Sequence, residues 1–369
     1  MSSVQKLQLC AFLLAFVFGA AAQASRFCLH GGLREWVEQG SGSRLWTYVA
    51  GVGFALATVA MAQFAMQTVF TPVRPPSLSP QLPWGRYLVG GLLVGAGMMM
   101  VRGCPLRTTV KLAQGSAGAL VAWVLMAASA YAFTRTSLFD TWMAPWLQPM
   151  TTDLKAFGLG SQGLDALVGA ASLSGRAILG FGLGAVALVL AARRLPVARN
   201  RTAWIATALL GAAVAGGYAL TGGSLGRAAM DDVSFMDQPI EGMGVQSITY
   251  AGPLSDAVNF VLRPGQQTFS IGLAILLGTL AGAFVSALVR REFKLQAPAG
   301  NLPKQIVGAV MTGTGAVIGL GCTVGNGVTG VSVLSLGALL SLAAMVVGAL
   351  VVLRIEALLA GTAAKTAAA

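Results

Sequence analysis

Runs of about 20 predominantly apolar residues recur along the whole chain, and that is the length a helix needs to cross a hydrocarbon core about 30 Å thick. The sequence divides into nine such spans: 7–24, 46–70, 87–103, 118–134, 175–192, 203–222, 267–288, 304–321 and 335–358. Backbone polar groups inside a bilayer must be satisfied within the protein, so apolar spans of this kind fold as helices. The expected fold is an all-α polytopic membrane protein. Composition agrees: 56% of residues are hydrophobic and 10% charged, where a soluble domain carries roughly a quarter charged residues.

The net charge of +12 does not indicate a nucleic-acid partner, because a basic binding surface needs clustered Lys and Arg on a polar background. Here the positive charge falls in short connectors between spans, the pattern that fixes membrane orientation. The connector "RRLPVARNR" carries Arg193, Arg194, Arg199 and Arg201 and no acid, which places it in the cytoplasm. Alternation from there puts Arg26, Arg34 and Arg44 inside, with Arg102, Arg107 and Lys111, and with Arg290, Arg291, Lys294 and Lys304. Eight of the 12 acids then lie outside: Asp140, Asp153, Asp165, Asp231, Asp232, Asp237, Glu241 and Asp256. The N-terminus is expected outside and the C-terminus in the cytoplasm. Residues 7–25 also have the apolar run and small-residue site of a cleaved signal peptide, a rival weakened by the repeat described next.

Shifting the chain by 218 residues lays "YLVGGLLVGAGMMMVRGC" (87–104) on "QIVGAVMTGTGAVIGLGC" (305–322), aligning Gly103 with Gly321 and Cys104 with Cys322. "GAL" recurs at 118–120 and 337–339, and "FCLHGG" (27–32) matches "YALTGG" (218–223) more weakly, with Ala219 opposite Cys28. Span one therefore corresponds to span six. An odd number of spans separates them, so the two four-span units face opposite ways. The expected organisation is repeat 1 over 1–134, a linker with span five over 135–202, and repeat 2 over 203–369. Inverted repeats are common transporter architecture, with the site near the midplane between them.

Four cysteines occupy two kinds of setting. Cys10 lies within an apolar span and reads as a small packing residue. Cys104 and Cys322 each follow a glycine at the end of a span. Pro105 suits the first position of a helix, so "PLRTTVKLAQGS" predicts a short helix, and "TVGNGVTGVS" predicts a weaker, glycine-interrupted one. Each thiol would thus cap a short helix in a re-entrant hairpin, where helix N-termini offer unpaired N–H groups to an anion and Gly321, Gly325 and Gly327 allow close backbone approach. Cys28 sits where span one meets the cytoplasm. Rival readings are a disulfide, soft-metal ligation and glycine-rich helix packing. No His or acid motif supports a metal, and His30, the only histidine, reads as a loop residue. No cofactor is implied.

"SRFCLHGGLREW", "RGCPLRTTVKLAQG", "GLGCTVGNG" and "VRREFKLQAP" together resemble the sulphur-transport domain family of YeeE/YedE type, over essentially the whole chain. The resemblance implies an hourglass-like bundle of nine spans with short re-entrant helices in a bacterial cytoplasmic membrane. It implies uptake of thiosulfate, relayed by S–H···S contacts along Cys28, Cys104 and Cys322. Arg102, Gly103, Pro105, Arg107, Gly321, Thr323, Gly325, Asn326 and Gly327 would support the anion. A small cytoplasmic sulphur-carrier protein would be the acceptor. The chain departs from the family pattern at Ser25, where glycine is usual, and at "RGCPLR", where "GGC" is usual. Relatives with a similar "CP-[ML]-R" motif are associated with selenium metabolism, so a selenium species is the alternative cargo. A membrane thiol oxidoreductase is the alternative class, although such enzymes usually show a C-x-x-C pair and none exists here.

Overall fold

The computed structural model describes residues 2–197, 200–234, 242–263, 269–298 and 301–367, with side chains through Leu359. Arg199, Asp237 and Glu241, and the first residues expected for span seven, lie outside the described residues. In chain order the helices are α1 (Ser3–Ser25), α2 (Leu29–Gln39), α3 (Ser43–Ala65), α4 (Trp84–Met100), α5 (Pro105–Ala113), α6 (Ala117–Arg135), α7 (Ala144–Leu147), α8 (Leu164–Leu167), α9 (Leu173–Arg194), α10 (Arg201–Gly222), α11 (Ser224–Ser234), α12 (Ala251–Leu262), α13 (Ile271–Val289), α14 (Leu302–Ile318) and α15 (Leu336–Ala367). Among the described residues strand is confined to a two-residue pair, Gln81–Leu82 against Thr152–Asp153. Among the described residues eight segments are long and apolar enough to cross a membrane. The protein is a polytopic all-α membrane protein.

Each expected span coincides with a long helix. Span eight forms α14, which at 17 residues is the same length as α4. Its ends locate it. Lys304 in its first turn pairs with Glu356 at 2.6 Å, and the carbonyls of Val317 and Ile318 at its far end accept from Arg86 at 3.2 and 3.0 Å. Arg86 opens α4, whereas Glu356 lies near the end of α15, so α14 joins opposite faces of the bundle.

Helix–helix packing is paired. α1 packs on α13 and α3 on α10; α4 packs on α15 and α6 on α14; α1 packs on α10 and α4 on α14. Glycines make the closest of these approaches possible. A Cβ on Gly97 would lie 2.7 Å from the Gly308 carbonyl, and one on Gly308 would lie 2.8 Å from the Gly97 carbonyl. The α4–α14 contact is therefore backbone against backbone, the small-residue packing that association without a hydrophobic drive requires.

One face gathers the basic connectors. Arg34 meets Glu356 at 2.8 Å, and Arg26 meets Glu292 at 3.8 Å. The opposite face carries Asp256, held by Arg135 at 3.0 Å and Arg74 at 3.7 Å. Within α9, Arg176 is buried and paired with Asp165 at 3.1 Å. The helices α2, α11 and α12 have no counterpart in the spans read from hydropathy. α2 and α11 are short and amphipathic, which a 20-residue apolar criterion passes over.

Candidate functional site

α4 stops at Met100, and the chain turns through Arg102, whose backbone is left-handed (φ 58°). The Gly103 N–H then returns to the Met98 carbonyl at 3.0 Å. Cys104 takes the N-cap position of α5, with Pro105 opening the helix, as its sequence predicts. α14 ends in the same way: Leu320 has φ 57°, and the Gly321 N–H returns to Ala316 at 2.8 Å. After Cys322 the chain enters a π-helix over Gly325–Gly330 rather than the weak α-helix expected there. The Cys322 thiol accepts from the Gly325 N–H at 3.5 Å.

The π-helix has a sequence signature. Cys104 and Cys322 stand 218 residues apart, but the serines that cap the next helices, Ser116 and Ser335, stand 219 apart. Cys322 and Ser335 are thus one residue further apart than Cys104 and Ser116, and the π-helix lies between them. Both serines accept an N–H three residues on, from Ala119 at 3.4 Å and Ala338 at 3.2 Å.

Cys28 caps α2 and accepts from the Gly31 N–H at 3.5 Å. His30 is correspondingly in the first turn of that helix and buried, not in a loop. Ala219, opposite Cys28 in the sequence match, is inside α10, and the residue immediately before α11 is Gly223.

All four cysteines are free. Cys28, Cys104 and Cys322 are 4%, 1% and 0% exposed, whereas Cys10 is only half-buried on α1. The Cys28 and Cys104 thiols are polar neighbours, and the Thr323 side chain adjoins Cys104. Thr323 Oγ1 is buried without a well-formed hydrogen bond. The first residue after Cys322 is thus in contact with the other two thiols' site.

Tyr48 and Asn326 hold this junction together. Tyr48 on α3 lies among all three thiols, donates to the Thr323 carbonyl at 2.8 Å and stacks on Phe27 at 5.1 Å. A Cβ on Gly327 would collide with its hydroxyl. Asn326 Nδ2 donates to the Gly319 carbonyl at 2.8 Å and to Ser341 at 2.9 Å, while a Cβ on Gly321 would press into its amide. Gly325 leaves room for Thr249, whose Oγ1 would lie 2.5 Å from a Cβ there. Gly321, Thr323, Gly325, Asn326 and Gly327 are all buried together, and Gly103 and Pro105 are buried on the Cys104 side.

Two cavities flank the thiols. One of 470 Å³ on the basic face is lined by Arg26, Arg44, Arg102, Arg107, Lys111 and Glu292, among others. One of 190 Å³ on the opposite face includes Arg74, Asp256, Gln246 and Thr249. Arg102 and Arg107, singled out in sequence, thus line the first cavity. Tyr48 and Thr249 belong to no motif of the sequence; a polar residue inside an apolar span is the available signal for Tyr48. No cluster of His, Cys, Asp and Glu among the described residues could hold a metal ion.

A family model described as sulphur transport matches residues 24–351. That range covers nearly the whole chain, including all three buried cysteines. No curated protein matches the sequence. The chain belongs to the sulphur-transport family, and its function is transport of a sulphur compound.

Proposed function

We propose that this sulphur-transport protein takes up thiosulfate across a bacterial cytoplasmic membrane, passing it along Cys322, Cys104 and Cys28. The observation that carries the reading is the convergence of three free, buried thiols between two cavities on opposite faces. The basic face is the cytoplasmic one by the charge rule, which puts the N-terminus outside and the C-terminus inside. Cargo then passes from the cavity at Arg74 and Asp256, by Thr249, to the thiols, and leaves through the basic cavity.

Thiosulfate is a dianion with a soft terminal sulphur. Bare burial in an apolar interior would cost many kcal/mol, while a cage of buried cations would hinder release. Thiols, the Thr323 hydroxyl and backbone N–H groups at Gly31 and Gly325 are weak donors arranged in series, and conduction needs multiple weak sites.

The two inverted repeats, 1–134 and 203–369 about a linker at 135–202, belong to the same proposal. Equal lengths of α4 and α14, equal lengths of α2 and α11 at 11 residues, and the paired packing support them. A small cytoplasmic sulphur-carrier protein is the proposed acceptor. The selenium alternative rests on the "CPLR" sequence at 104–107. The nearness of Cys28 and Cys104 favours a second reading, a thiol oxidoreductase in which that pair becomes a disulfide by exchange with a disulfide substrate, whose two sulphurs leave as thiols. That reading leaves Cys322 without a role.

Uptake of labelled thiosulfate by proteoliposomes tests the proposal. Saturable uptake is expected, with Cys28 and Cys104 recovered as free thiols after transport. Uptake no faster than in protein-free vesicles would overturn it.

A further inference from the structure

The cavity on the basic face is lined by no thiol and by five cations. Arg26 follows α1, Arg44 opens α3, and Arg102, Arg107 and Lys111 come from the turn after α4 and from α5. Glu292 is the carboxylate that lines it. It is already engaged by Gln23 at 2.6 Å and Gln114 at 3.5 Å, and lies 3.8 Å from Arg26. Arg44 is held by Glu35 at 3.4 Å. Among the described residues no carboxylate pairs with Arg102, Arg107 or Lys111.

One of the lining arginines also carries an unsatisfied donor. Arg107 Nη1 is buried and has no hydrogen-bond partner. A buried donor left unmade costs about 1–3 kcal/mol, and more when it is charged. An oxyanion relieves that cost, because guanidinium–oxyanion hydrogen bonds are charge-assisted and can be bidentate. Lys111 Nζ is tethered to the Arg102 carbonyl, which fixes the ammonium beside the same cavity.

We propose that this basic vestibule is a separate binding site for a small divalent oxyanion, which it selects by charge and not by sulphur. Its cations present N–H groups and nothing that distinguishes a terminal sulphur from a terminal oxygen. The volume of 470 Å³ is large beside the roughly 30 Å³ share of one water. An anion there keeps much of its hydration and exchanges readily with bulk. Sulfate reaching this face therefore occupies the vestibule and slows departure of cargo from the thiols. This last consequence rests on the transport reading; the binding site does not.

Calorimetric titration of sodium sulfate into the purified full chain in detergent, with sodium chloride at matched ionic strength as control, tests the site. Saturable sulfate binding is expected. It should weaken about tenfold or more, a change of about 1.4 kcal/mol or more, in the Arg102→Gln/Lys111→Gln protein, survive in Arg102→Lys/Lys111→Arg, and survive in Cys28→Ala. Absent binding by the wild type, equal binding by the Gln variant, or loss in Cys28→Ala would overturn the proposal. Proteoliposomes loaded with sulfate on the basic face should take up thiosulfate more slowly than chloride-loaded ones, and equal rates would overturn the inhibition. Sulfate binding without any thiosulfate uptake would leave the site standing and overturn the transport reading instead.

Discussion

Arg102 and Leu320 carry the same backbone irregularity, at φ 58° and 57°, each two residues before a buried cysteine. In both places the next N–H reaches five residues back, from Gly103 to Met98 and from Gly321 to Ala316. A left-handed conformation costs an L-residue about 1–2 kcal/mol. Two non-glycine residues accept that cost where each helix must end and its thiol must turn inward.

A β-branched residue tolerates this conformation worst. Leu320→Val should therefore destabilise the protein, adding to the cost that Leu320 already bears, whereas Leu320→Gly, which relieves the strain while losing the side chain, should stay closer to wild type. Thermal unfolding in detergent separates them, and the reverse order would show that Leu320 packing outweighs its backbone.

Cys28→Ala, Cys104→Ala and Cys322→Ala should each abolish thiosulfate uptake and leave the thermal transition nearly in place, because sulphur to hydrogen removes little volume at a buried site. Cys10→Ala, on a half-buried face of α1, should be silent. Full uptake by the Cys104 or Cys322 variant would remove the relay.

Much of this was legible in the sequence, and the reason is physical. A membrane-spanning helix announces itself by length and hydropathy, so all nine expected spans coincide with long helices. Cys104 and Cys322 were legible because a glycine–cysteine pair at a span end leaves few local structures. The π-helix left its trace as the change in offset from 218 to 219, yet an offset does not say how an additional residue is absorbed. α2 and α11 were missed because amphipathic helices lying between spans lack an apolar run. Tyr48 was missed because its role is set by a carbonyl 275 residues away, which no local pattern encodes.

That tyrosine yields a prediction about geometry. Tyr48→Phe removes the donor to the Thr323 carbonyl and leaves a buried acceptor, a cost of about 1–3 kcal/mol. Gly327→Ala drives a methyl into the same hydroxyl. Both variants should lower uptake. Tyr48→Phe should lower the maximal rate more than it alters the half-saturating concentration, because it displaces Thr323 without changing either cavity. An altered half-saturation alone would place Tyr48 in capture instead.

Sidedness can be read directly at two exposed positions. Phe157 is 71% exposed in the connector between α6 and α9, and Val197 is 51% exposed between α9 and α10. In the proposed orientation an impermeant maleimide should label Phe157→Cys on intact cells and Val197→Cys only in inverted vesicles. Labelling of both from the same side would break the alternation on which the topology depends.

Sulfate added outside should compete poorly with thiosulfate. The two dianions have the same charge and similar shape, so the arginines would treat them almost alike. They differ at one terminal atom. Sulphur holds its charge diffusely, sheds water more easily than oxygen and suits a weak S–H donor. One such contact differs by only about 1 kcal/mol, but Cys322, Cys104 and Cys28 are met in succession and the differences compound along the path. Competition uptake should rank thiosulfate well above sulfate from the outside, even though sulfate slows the same protein from the basic face. Selenosulfate, which keeps a soft terminal atom, should compete where sulfate does not. Equal inhibition by external sulfate would mean that the thiols do not discriminate, and that the cations and helix ends alone make the filter.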